Sequence, residues 1–175
     1  MDVLFHFVMS FAGGYVLLKG IRSGRYFGWG KLFLLSFLVG MIDLEHLTNH
    51  TPENVLTHSL IFMLGLPLLL FLAFRFADSR ISKSGEKDER FKGLQAYSLV
   101  AMVMLIGHLL ADMISGIYGI PLLYPLSTRL FLLPYSWNIA YSGSYVIANE
   151  GIAVALYFAL VFICVIAHKR FSRKG

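Results

Sequence analysis

The sequence predicts an all-α, polytopic membrane helix bundle of about five transmembrane helices, folded as a single domain over residues 1–175. Three observations predict it. Hydrophobic residues make up 57% of the chain and charged residues only 14%, whereas a soluble domain carries about 25% charged residues to cover its surface. The mean hydropathy is +0.69. Apolar stretches recur along the chain at close to the ~20 residues that a membrane-spanning helix needs. The single cysteine, Cys164, leaves no partner for a disulfide scaffold, and the hydrophobicity excludes a disordered chain.

By hydropathy the spans run Val3–Leu18, Trp29–Ile42, Thr57–Ala77, Leu94–Ile114 and Ala148–His168. The first lacks the basic flank of a signal peptide and carries Asp2 instead, so it reads as a retained span. The second is short and reads as tilted or partly interfacial. Pro67 lies inside the third, where it is expected to kink the helix. Asp78–Gly93 is the one long polar run, expected as a solvated linker with frayed helix ends.

Charge placement orients these spans. Every Lys and Arg except Arg129 falls in the first loop, the third loop, the tail or, for Lys31 and Arg75, the span ends that adjoin those loops. Basic loops mark the cytoplasmic side, which puts the amino terminus outside and the carboxyl terminus inside a cell membrane. The net charge of +5 is then a topology signal that also suits anionic lipid headgroups. No nucleic-acid-reading motif accompanies it.

Apart from His168, the acids and histidines outside the cytoplasmic loops gather at the opposite, outer face. His6 lies near the outer end of the first span; Asp43, Glu45 and His46 close the second. Thr57, His58 and Ser59 open the third span, His108 and Asp112 lie in the outer third of the fourth, and Glu150 begins the fifth. Ionisable groups within spans are costly and mark function by default. His108 and Asp112, four apart, share one helix face and can grip one ion. Imidazole with carboxylate suits zinc first, manganese or iron next. His6, Asp43, His58, His108 and Asp112, arriving from four helices, resemble the way bundles build metal sites. Each residue also has a plainer reading. His6 reads as an interfacial histidine, Asp43 as a helix-end flank, Thr57 as an N-cap with His58 structural beside it, and His108–Asp112 as a hydrogen-bonded pair. His46 and His50 read as solvated loop residues, and His168 as an end-of-span residue.

These residues resemble a known family, the membrane-bound metal-dependent hydrolases, also described as LexA-binding, inner-membrane-associated hydrolases. The matching pieces are His6, then Ile42-Asp43-Leu44-Glu45-His46 for a Pro-Asp-x-Asp-His segment, and Thr57-His58-Ser59-Leu60 for Thr-His-Ser. Gly107-His108-Leu109-Leu110-Ala111-Asp112 stands for His-x-x-x-Asp, and Tyr124-Pro125-Leu126 for a late proline motif. Ile42 replaces a proline, Glu45 an aspartate, and the arginine that often precedes Thr-His-Ser is absent. The order is distantly similar to zinc-dependent phospholipases C. That similarity implies one ion held by Asp43, His58, His108 and Asp112, and a second held by His6 with Asp112 bridging.

The expected function is an integral membrane hydrolase, cleaving a lipid or lipid-linked phosphoester with water activated by one or two divalent ions. A bound ion brings the pKa of water towards ~7. Asp43 and Glu45 are the candidate catalytic carboxylates, Glu45 as the group that orients or deprotonates water. Ser59 or Asn49 would fix ligand orientation. The outer loop 116–147 carries tyrosines, Trp137 and Arg129. Its aromatics suit headgroup-level anchoring, its length suits a lid, and Arg129 could meet a phosphate. The alternative expectation is a divalent-metal transporter or metal-sensing membrane protein without hydrolase activity. It explains the same ligands but needs polar residues through the midplane, which the inner halves of the spans lack. A purely structural membrane protein leaves the polar cluster unexplained.

Overall fold

Each apolar stretch is a helix in the computed structural model, which describes residues 3–21, 28–44, 56–82, 89–115, 120–131 and 143–172. The helices are α1 (Val3–Gly20), α2 (Trp29–Gly40), α3 (Leu60–Ser82), α4 (Glu89–Ser115) and α5 (Gly143–Ser172). Short 3-10 turns, Met41–Leu44 and Leu56–His58, follow α2 and precede α3. The described chain is all-helical apart from one isolated antiparallel bridge, Ile120 with Phe131.

Four helices are long and apolar enough to cross a membrane: α1, α3, α4 and α5. The second expected span is a shorter element. Its 12 residues extend about 18 Å at ~1.5 Å per residue, less than the ~30 Å hydrocarbon core. It completes its packing against α1 as an antiparallel hairpin. Phe33 meets Phe7 edge-on at 5.2 Å, and Trp29 stacks on Phe11 and Tyr15 at 6.0 and 5.5 Å.

Helix ends differ from the hydropathy reading at the charged stretch. Asp78–Gly93 is expected as a linker, but α3 continues to Ser82 and α4 already begins at Glu89. Hydropathy ends a span where charge begins. The backbone does not, because Arg, Lys, Glu and Gln are good helix formers. α3 also runs through Pro67. α5 opens five residues before the expected start, at Gly143, and so shortens the outer loop.

α4 is the hub of the bundle, packing on α1, α2, α3 and α5. In its apolar window 61% of residues are buried, against 11% in α3. α3 rests mainly on α4 and presents Leu66, Leu68, Leu69, Leu70 and Leu72 outward, the face a lipid-immersed helix offers to acyl chains. At the centre of the bundle, fully buried Tyr157 of α5 lies in a notch between Gly13 of α1 and Gly107 of α4. Small residues at such crossings let helices approach closely. The Tyr157 hydroxyl has no hydrogen-bond partner among the described residues.

The start of α3 is set by side-chain and loop bonds. Ser59 Oγ accepts the Phe62 amide at 3.2 Å and donates to the Leu56 carbonyl at 2.8 Å. The cap is therefore Ser59, two residues after the Thr57 that the sequence suggested. The Leu60 amide, another of the four that a helix start leaves unpaired, donates to the Leu122 carbonyl at 2.9 Å. Ser59→Ala is expected to cost about 1 kcal/mol, the usual value of a lost N-cap. Thermal unfolding in detergent, compared with Ser79→Ala on the exposed end of the same helix, measures it.

Candidate metal centre

Two helices and a turn bring their polar side chains to one end of the bundle. His6 sits one turn into α1, His58 ends the 3-10 turn before α3, and His108 and Asp112 lie one turn apart near the end of α4. All four are buried, the three histidines almost completely. α1 and α3 run parallel and α4 antiparallel to both, so the starts of the first two meet the end of the third.

Asp112 is the hub of the group. His6 Nε2 lies 3.0 Å from Asp112 Oδ1. On the other oxygen, His108 Nε2 is 3.1 Å and His58 Nε2 3.4 Å from Oδ2. His58 and His108 also approach each other, Nε2 to Nε2, at 3.4 Å. The His6 and His108 rings face each other with centroids 3.9 Å apart. The two contacts at Oδ2 are close but misaligned. That oxygen is buried without a hydrogen bond among the described residues.

The donor set is one a divalent ion could use. Ligand atoms of His6, His108 and Asp112 all lie within 4.8 Å of one another. Imidazole nitrogen and carboxylate oxygen bind zinc at about 2.0–2.1 Å, so the edge of a tetrahedral site is about 3.3–3.4 Å. The three distances joining His58 Nε2, His108 Nε2 and Asp112 Oδ2 run from 3.1 to 3.4 Å.

The other sequence candidates take different places. Asp43 belongs to the 3-10 turn at the end of α2, an element that packs on α1; its side chain lies outside the described residues, as do Glu45, His46, Asn49 and His50 and the side chain of Glu150. Ser59 spends its hydroxyl on the α3 cap. Arg129 is exposed, its guanidinium over the Phe131 ring at 5.6 Å. Thr57, which the sequence offered as a cap, instead places Oγ1 3.2 Å from His58 Nδ1. Its signal was the adjacency of a hydroxyl and an imidazole in Thr-His.

A family model described as YdjM inner membrane protein matches residues 1–173. No curated protein and no solved structure matches the chain.

Proposed function

We propose a function for a chain that belongs to the YdjM inner membrane protein family: it is an integral membrane hydrolase that cleaves a phosphoester carried by a lipid, using a divalent metal, zinc first among them. The observation that carries this reading is Asp112 Oδ2, a buried carboxylate oxygen with two imidazole nitrogens beside it and no hydrogen bond.

His58, His108 and Asp112 Oδ2 would hold one ion. His6, 3.0 Å from Asp112 Oδ1, would help hold a second ion. Such ions supply Lewis acidity toward phosphoryl oxygens and an activated water. The residues around them do the positioning. Were His58 Nε2 to hold the ion, its Nδ1 would carry the proton and donate to Thr57 Oγ1, 3.2 Å away, and so fix the ring orientation. The turn bearing Asp43 packs on α1, which carries His6, and so brings one of the two candidate catalytic carboxylates, Asp43 and Glu45, toward the same end. Beneath the cluster the described core is closed by Tyr157, Met104, Val100 and Leu18, with no buried carboxylate or imidazole. That favours a site served from one end over a transport pathway. The charge distribution of the loops supports an outer-face position for it.

Elemental analysis of the purified protein tests the reading, followed by turnover of phospholipid in mixed micelles. The expected result is stoichiometric zinc, with both zinc and turnover lost in His108→Ala. A metal-free wild-type protein, or a variant with undiminished turnover, overturns it.

A further inference from the structure

The described part of the loop between α4 and α5, residues 120–131, is closed at its base and carries outward-facing leucines that a water-facing loop does not need. Ile120 and Phe131 exchange two amide–carbonyl bonds at 2.8 Å and close its base. Inside that closure the amides of Leu122, Tyr124, Leu126 and Ser127 donate to carbonyls two to four residues back, and the Arg129 amide donates to Ser127 Oγ. Pro121 and Pro125 have no amide hydrogen to satisfy. Toward the tip the carbonyls of Tyr124 to Leu130 accept no hydrogen bond among the described residues, so the backbone there belongs in the hydrated headgroup layer, with only its side chains reaching below it.

Its side chains divide in the same sense. Ile120 and Pro121 are buried against the bundle. Leu123, Leu126 and Leu130 point outward, Leu126 with 82% of its surface exposed. The tip is thus the most exposed large apolar side chain in the described protein, beside a single exposed cation, Arg129. The segment's depth is fixed by the Leu60–Leu122 bond. Leu60 is the residue at which the apolar window of α3 begins, and the outward face of α3 continues directly from it with Ile61. The leucines therefore extend an existing lipid-facing surface at the level where the hydrocarbon starts.

We propose that residues 120–131 form a membrane-inserting arm, seated in the phospholipid leaflet at the metal-centre end, with Leu126 in the upper acyl region and Arg129 at the level of the headgroup phosphates. The arm is joined to the bundle one residue after Ser59 and two after His58. It holds the phosphate layer beside the centre. Insertion does not depend on metal or on turnover, so it stands or falls separately from the hydrolase reading.

The test uses the full chain in a Cys164→Ser background, reconstituted into phosphatidylcholine–phosphatidylglycerol vesicles. An environment-sensitive dye is attached in turn at Leu126→Cys, Leu130→Cys and Thr128→Cys. Expected are blue-shifted emission at 126 and 130 with strong quenching by lipids carrying a nitroxide high on the acyl chain. The dye at 128 is expected to respond more to headgroup nitroxide. Chelator treatment is expected to change none of these. Water-like emission at both 126 and 130, quenched by iodide and not by lipid nitroxides, overturns the proposal; so does equal depth at all three positions.

Discussion

Asp112→Asn is expected to abolish metal binding while leaving the bundle folded. The substitution keeps size and shape but removes the charge and one of the two acceptor oxygens. Loss of a partner that merely orients a ligand costs about 10–100-fold in metal affinity or activity. Asp112 stands beside all three histidines, two on one oxygen and one on the other, so its loss is expected to exceed ~100-fold on the same scale. Two measurements check it. Bound zinc should fall to background in Asp112→Asn. Added zinc should raise the unfolding temperature of the wild type alone, since a ligand at 100 times its dissociation constant adds about 2.7 kcal/mol. If the cluster were only a hydrogen-bonded network, the wild type would hold no zinc and would gain nothing from it. The variant would then differ only by the loss of hydrogen bonds to a charged group, about 1.5–3 kcal/mol.

The parts of this centre were legible in the sequence for a topological reason. Hydropathy orders the spans, alternation of the spans assigns each end to a face, and His6, His58, His108 and Asp112 fall to the same face. The spacing of His108 and Asp112 added a shared helix face. What hydropathy could not supply was lateral order. It measures transfer from water to an apolar phase, which is equally favourable for a lipid-facing Leu69 and for a core-facing Leu18. That α4 is central and α3 peripheral follows instead from shape, as where Gly107 admits the Tyr157 ring. The charged stretch after Ala77 holds the ends of two helices for the converse reason: side-chain hydration ends a membrane span without ending a helix. The arm at residues 120–131 was visible only as composition, because its closure rests on backbone bonds between Ile120 and Phe131 that carry no side-chain signature.

The Tyr157 notch gives the second large effect, and it links packing to the centre. A methyl group at Gly107 would overlap the Tyr157 ring at Cδ2 and Cε2, and one at Gly13 would overlap the hydroxyl end of the same ring. Tyr157 is fully buried and cannot swing into solvent, so helices must separate. Overpacking of this kind costs about 1–3 kcal/mol. Gly107→Ala is expected at the upper part of that range. Because His108 is the next residue on α4, the displacement should also weaken metal binding, although Gly107 offers no ligand atom. Gly13→Ala strains the same ring from the α1 side. Tyr157→Phe separates the two contributions. Removing a hydroxyl without a partner should be neutral or stabilising, since an unsatisfied buried group costs about 1–3 kcal/mol. It should partly rescue Gly13→Ala, whose clash involves the hydroxyl, and leave Gly107→Ala unrescued, whose clash involves the ring edge. A double-mutant cycle on unfolding temperature and zinc content measures both couplings. Equal rescue of the two glycine variants, or none in either, would place the Tyr157 ring elsewhere than between α1 and α4.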